Sequence, residues 1–124
     1  MIGIDIVETA RIRDSLEKFG DRFLNRCFTA DEIAYCRSMK FPELHLAARF
    51  AAKEAISKAF GTGIGKQLGW RDMEICKRDS GEPFVRLHGK GAELAHARNV
   101  TEVLVSLSHC KDYAAANAVL VRAH

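Results

Sequence analysis

The stretch RFAAKEAISKAFGTGIG, Arg49 to Gly65, constrains the fold more than any other part of the chain. Ala51, Ala52, Ala55 and Ile56 surround Glu54, and small residues of this kind let a helix pack closely against a sheet. Pro42 suits the first turn of that helix and Gly61 suits the left-handed residue that ends it, so a long helix is predicted from Pro42 to Gly61. The rest of the chain must supply the sheet.

Ile2, Ile4 and Ile6 alternate with Gly3, Asp5 and Val7, the period of a strand with one face buried. A helix follows from about Thr9, with Ile12, Leu16, Phe19, Phe23 and Cys27 at helical spacing and Gly20 a break or kink. Thr29 and Glu32 form a capping box that opens a helix through about Met39. Beyond the long helix, Trp70 to Cys76 alternates as a strand, KRDSGEP reads as a turn, and Phe84 to Leu87 as the next strand. Gly91 to Arg98 reads as a short helix. Val103 to Leu107 and Tyr113 to Val121 read as two strands joined through His109 to Asp112. Strand, helices, then a mainly antiparallel sheet make the fold class α+β, in one domain over residues 1–124. The 124 residues leave no room for a second.

The net charge of +3 is too small for a general nucleic-acid binder. Cys27, Cys36, Cys76 and Cys110 form no C-x-x-C pair and no finger-like spacing with histidine, which suits reduced thiols in a cytoplasmic protein. MIGIDIVE carries no basic leader, and no run of apolar residues is long enough for a bilayer, so a soluble protein without membrane contact is expected.

Asp5 interrupts a strand, where aspartate neither packs nor suits the pleat, so it faces water or a partner. Glu54 and Lys58, four apart, suit a surface ion pair. Arg49 and Lys53, also four apart, repel mildly unless an anion lies between them. Two carboxylates, from a strand and a helix, are the hard oxygen donors that Mg²⁺ takes, with phosphate oxygens as its further ligands and Arg49, Lys53 and Lys58 as counter-charges. GTGIGK is no P-loop, since its spacing is wrong and it follows a helix. Gly63 and Gly65 exceed what a cap needs and leave bare backbone for a long ligand. Ser106, Ser108 and His109 close a strand with donors apt for phosphate. Arg11, Lys18, Arg22 and Arg26 share one helical stripe if the helix runs through Gly20, a surface on which an acidic protein could dock.

With GIDIVE, RFAAKEAISKAFGTGIG, WRDMEI, GEPFVRLHG and VSLSHCKDYAAA in that order, the chain resembles the holo-acyl-carrier-protein synthases, the small class of 4'-phosphopantetheinyl transferases. The D-I and K-E-A-x-x-K-A elements are specific to this superfamily. The resemblance implies that fold, with a mainly antiparallel sheet packed on the long helix. It implies transfer of phosphopantetheine from coenzyme A to a serine of apo acyl carrier protein, releasing adenosine 3',5'-bisphosphate, in fatty acid biosynthesis.

It further implies Asp5 and Glu54 as Mg²⁺ ligands, with Lys58 on phosphate. Arg49, Lys53, Lys58, Gly61, Gly63, Pro83, Ser108 and His109 are implied to line the coenzyme. A homotrimer with sites at subunit interfaces is implied, bringing Ser108 and His109 near a neighbour's Asp5 and Glu54. Arg11, Lys18, Arg22 and Arg26 would meet the acidic helix of the carrier protein. Mg²⁺ and Lys58 would stabilise charge on the pyrophosphate while Glu54, or a metal-bound water, takes the serine proton. A transferase serving other carrier domains and a non-catalytic coenzyme A-binding module are the competing readings.

Overall fold

The computed structural model describes residues 1–123. In chain order the elements are β1 (Ile2–Glu8), α1 (Thr9–Phe19), α2 (Asp21–Cys27), α3 (Ala30–Arg37), α4 (Pro42–Phe60), β2 (Met73–Lys77), β3 (Pro83–Leu87), α5 (Gly89–Ala97), β4 (Val100–His109) and β5 (Tyr113–Arg122). The strands form two antiparallel sheets, β1-β5-β4 and the hairpin β2-β3, in place of one.

Helix α4 is the axis of the fold. Pro42 starts it, and Gly61, at φ 76°, ends it in the left-handed conformation. Its alanines 47, 48, 51, 52, 55 and 59 are buried, and Ala114, Ala116 and Ala118 of β5 are buried with them. Two small-residue surfaces facing each other bring helix and sheet close. The side of α4 turned away from the sheet carries the aromatic core, where Phe50 stacks on Trp70 at 4.6 Å between centroids and Phe23 meets Phe28 edge-on.

The alternation in β1 is present, but its buried face is the opposite of the apolar one. Gly3 and Val7 are buried against α4 while Ile2, Ile4 and Ile6 are 71, 70 and 67% exposed. Gly3 explains why. A Cβ there would overlap the Ala55 carbonyl oxygen and lie 2.7 Å from the Ala59 nitrogen, so the strand rests on the helix backbone itself. Gly3→Ala should cost about 1–3 kcal/mol, because the obstructing atoms are backbone and have no rotamer to retreat into. Urea unfolding checks this; an unchanged midpoint would contradict the contact.

One further expectation is corrected. The predicted strand from Trp70 opens as a 3₁₀ turn over Trp70–Asp72, because the Asp72 carboxylate accepts the Gly69 N–H at 2.8 Å and curls the chain before Met73. Gly20 breaks the helix from Thr9, as its place in the sequence suggests. That residue, at φ 53° and ψ −127°, separates α1 from α2, so the four basic residues divide between two helices.

Candidate active site

Asp5, Glu54 and Lys58 meet where β1 crosses the second half of α4. Asp5 lies on the helix-facing side of its strand, opposite Ala116 of β5 in register. The ion pair suggested by the spacing of Glu54 and Lys58 does not form; the Lys58 ammonium turns to Asp5 Oδ1 at 2.9 Å and donates to the Ile4 carbonyl at 3.1 Å. Glu54 is half-buried. Burial first, and then the Asp5 charge, push its carboxyl above the ordinary carboxylate range, with Arg11 and Lys58 opposing.

Two carboxylates held by separate rigid elements thus stand close enough for the Asp5 charge to raise the proton affinity of Glu54. Their hard oxygens suit Mg²⁺. Among the described residues no three His, Cys, Asp or Glu side chains gather as a metal-ligand set. Two carboxylates are the donors on offer here, a number that would suit a cation completing its shell with phosphate and water.

A second group lies on the other side of α4. Arg49, Pro83 and His109 line one cavity of about 180 Å³ together with His45, Tyr35 and Lys77. Arg49 is buried, its guanidinium 4.5 Å from the Tyr35 ring centroid. Gly61 and Gly63, both at positive φ, form an exposed turn in which the Thr62 and Gly63 amides donate to the Ser57 carbonyl. Ser108 and His109 point to opposite faces of β4. Ser108 shares the open sheet face with Ser106, Ile4 and Asn117, whereas His109 meets the His45 ring at 5.1 Å.

Lys53 departs from its expected place on the coenzyme. It is fully buried, its ammonium donating to Glu32 Oε1 and the Cys27 carbonyl, each at 2.7 Å, and to the Trp70 carbonyl at 3.1 Å. All three protons are taken, so the residue braces the core and faces no phosphate. Its charge is answered by Glu32, which removes the repulsion expected with Arg49. Glu32 also accepts the Ile75 and Thr29 amides, and Thr29 in turn donates to Glu74 at 2.7 Å.

Burial alone would raise the Glu74 carboxyl, but the Thr29 and His88 hydrogen bonds and the nearby His88 and Arg86 charges outweigh it and leave the group below its ordinary value of 4.5. A depressed folded value means stability that is complete above the unfolded value and is lost as pH falls through the folded one. Stability should therefore decline on acidification below about pH 4.5, and less steeply in Glu74→Gln. Chemical denaturation at stepped pH checks this; parallel profiles for the two proteins would refute it.

Arg11, Lys18, Arg22 and Arg26 are all exposed. Arg11 lies 5.1 Å from the Phe50 ring centroid and acts on Glu54, so it stands at the edge of the carboxylate group. Arg22 and Arg26 line a groove with Ser15, Phe19 and Phe23.

A model of the 4'-phosphopantetheinyl transferase superfamily matches residues 1–118. The holo-acyl-carrier-protein synthase of Ruminiclostridium cellulolyticum is 48% identical over 121 residues, 97% of this chain and 90% of that protein. That of Chlamydia trachomatis is 50% identical over 118 residues, 95% of this chain and 96% of that protein. The crystal structure of the Helicobacter pylori holo-acyl-carrier-protein synthase in complex with coenzyme A matches with a TM-score of 0.87 at 36% identity, covering 98% of this chain and 100% of that one. The Neisseria meningitidis enzyme matches with a TM-score of 0.91 at 33% identity, covering 98% and 97%.

Proposed function

The chain belongs to the 4'-phosphopantetheinyl transferase superfamily, and from that premise we propose that Asp5, Glu54 and Lys58 form the reacting half of its site while Arg49, Pro83 and His109 hold the coenzyme. Its activity is that of a holo-acyl-carrier-protein synthase, moving the phosphopantetheine of coenzyme A to an acyl carrier protein. The observation that carries the residue assignment is the Lys58 ammonium at 2.9 Å from Asp5, beside a Glu54 carboxylate that it leaves unpaired.

The carrier serine attacks the phosphorus that bears the pantetheine. A new P–O bond forms, the bond to the second phosphate breaks, and adenosine 3',5'-bisphosphate leaves with the electron pair. Glu54, free of Lys58 and with its carboxyl raised, accepts the serine proton directly or through a bridging water. Lys58 exchanges its bond to Asp5 for the leaving phosphate and stabilises the charge that develops there. Asp5 and Glu54 would hold Mg²⁺, which when bound would supply positive charge beside the pyrophosphate. The Gly61 to Gly65 turn carries no side chain at alternate positions and forms one wall for the coenzyme.

The two halves stand back to back on one helix. Nine residues separate His45 from Glu54, which is about 13.5 Å of rise and about 180° of rotation. One chain therefore turns the carboxylates and the His45–His109 group to opposite sides, and copies placed side by side bring the half-sites together. The open sheet face, with Ile2, Ile4, Ile6, Leu104 and Val119 exposed, suits burial between such copies. A homotrimer is the assembly we assign. The exposed basic residues Arg11, Lys18, Arg22 and Arg26 then meet an acidic helix of the carrier protein. Among the described residues no helix is long and apolar enough to cross a membrane. A cytoplasmic role in fatty acid biosynthesis fits the substrates.

Mass spectrometry of an apo acyl carrier protein incubated with the chain, coenzyme A and Mg²⁺ tests the reading. The carrier should gain the phosphopantetheine mass, and gain none when Mg²⁺ is chelated. A carrier of unchanged mass with Mg²⁺ present would overturn it.

A further inference from the structure

Helix α5 belongs to neither sheet, yet the segment that joins α4 to β2 rests on it from end to end. The Arg98 guanidinium, at the C-terminus of α5, donates to the Phe60 carbonyl at the C-terminus of α4. The Lys90 ammonium, in the first turn of α5, donates to the Lys66 carbonyl at 3.2 Å. The Gly61 to Gly65 turn lies between these two points. Beyond it Leu68 is fully buried, and a Cβ on Gly91 would stand 3.3 Å from Leu68 Cδ1 and 2.8 Å from the Asp72 carbonyl oxygen, so α5 packs closely on the following stretch as well. Arg98 is half-buried and forms no salt bridge among the described residues. Its charge falls on a carbonyl that the end of a helix leaves without an intrahelical donor, a place where a cation is favoured.

We propose that α5 braces the coenzyme wall, and that Arg98 and Lys90 are positioning residues that fix the Gly61 to Gly65 turn where the coenzyme lies. The proposal rests on the reading that this turn forms a wall for the coenzyme. Within the turn, Gly61 donates to the Lys58 carbonyl, and the Thr62 and Gly63 amides donate to the Ser57 carbonyl, all of which tie only its entry to α4. Gly65 has neither a positive φ nor any atom within 4 Å of the place its Cβ would take, so the packing of the chain gives no reason for a bare position there. A turn with three bare positions has few side chains of its own to hold its shape. Its geometry therefore depends on the two carbonyls, Phe60 before it and Lys66 after it, that α5 holds. A wall that shifts loses contact with the coenzyme in the ground state and the transition state alike, which raises KM and leaves kcat in place.

Steady-state kinetics of the whole chain with coenzyme A and an apo acyl carrier protein test this. Arg98→Met keeps the aliphatic stem and removes the donors; it should raise the KM for coenzyme A about fivefold, with kcat and the KM for the carrier unchanged. Arg98→Lys, which restores a charge and a donor, should recover part of that rise. Lys90→Met, which loses only an exposed bond, should raise the same KM about twofold. Hydrogen exchange of the Thr62 and Gly63 amides, measured without substrate, should quicken in Arg98→Met. Gly65→Val places a side chain in the open space and reads the turn itself, so it should raise the KM for coenzyme A whatever holds the turn. Arg98→Met without effect on that KM, beside a Gly65→Val that raises it, would overturn the brace and leave the turn on the coenzyme. A silent Gly65→Val would remove the turn from the coenzyme and the proposal with it. A fall in kcat, or equal rises in both KM values, would make Arg98 a residue of general stability and overturn its positioning role. Where Arg98→Met does not fold, Lys90→Met decides, and an unchanged KM there would overturn the proposal.

Discussion

Glu54→Gln loses transfer activity by on the order of a thousandfold while its melting temperature stays level or rises. Both halves of this expectation come from the same surroundings. The substitution removes a proton acceptor and one of two anionic oxygen ligands, and an amide carbonyl replaces neither. In the folded chain, however, the carboxylate is penalised by burial and by Asp5, outweighing Arg11 and Lys58, and forms no salt bridge among the described residues. Removing its charge thus relieves the fold. A variant that loses activity and melts at a clearly lower temperature would show Glu54 to be structural, and a fully active one would remove it from the site. Mass spectrometric rates and a thermal melt on one preparation separate these outcomes.

Lys53→Ala should lose about 3–5 kcal/mol of stability, the usual penalty for stripping one partner from a buried pair. Glu32 would keep its negative charge at a site that is 2% exposed, with the Cys27 and Trp70 carbonyls losing their donor as well. Replacing both charges, as Lys53→Met with Glu32→Gln, should recover a substantial part of the loss, since no lone charge then remains. Urea midpoints of the two variants decide the matter. A single substitution costing less than about 1 kcal/mol, the range of exposed pairs, would contradict the buried brace.

Lys53 also shows where the sequence was open to a closer reading. Lysine spacing alone suggests a row of phosphate contacts, yet α-helical rotation places Arg49 and Lys53 about 40° apart and sends Lys58 about 140° beyond Lys53. The wheel separates the core lysine from the site lysine, although only tertiary packing shows that Glu32, twenty-one residues upstream, supplies the counter-charge. Pro42, Gly61 and the Thr29–Glu32 capping box were legible because they are local, decided within a few residues by backbone geometry. The burial sense of β1 was not. Alternation announces two faces, but which face meets α4 depends on Gly3 allowing backbone contact, and three isoleucines on the open side point the wrong way unless another copy covers them. Gly20 was legible as a break, and its dihedral angles decide that the basic stripe is two patches. His45 escaped notice because its neighbours come from α3, β2 and β4, which no spacing along the chain connects.

The back-to-back arrangement on α4 has a consequence for how such a catalyst responds to its own abundance. On the reading that each working centre borrows one half from a neighbour, an isolated copy is folded and inert. Specific activity then rises with protein concentration until assembly saturates. A dilution series at fixed substrate should curve upward at the low end, and equal mixtures of a chain lacking Glu54 with one lacking Arg49 should regain part of the lost rate through centres that draw their intact halves from different parents.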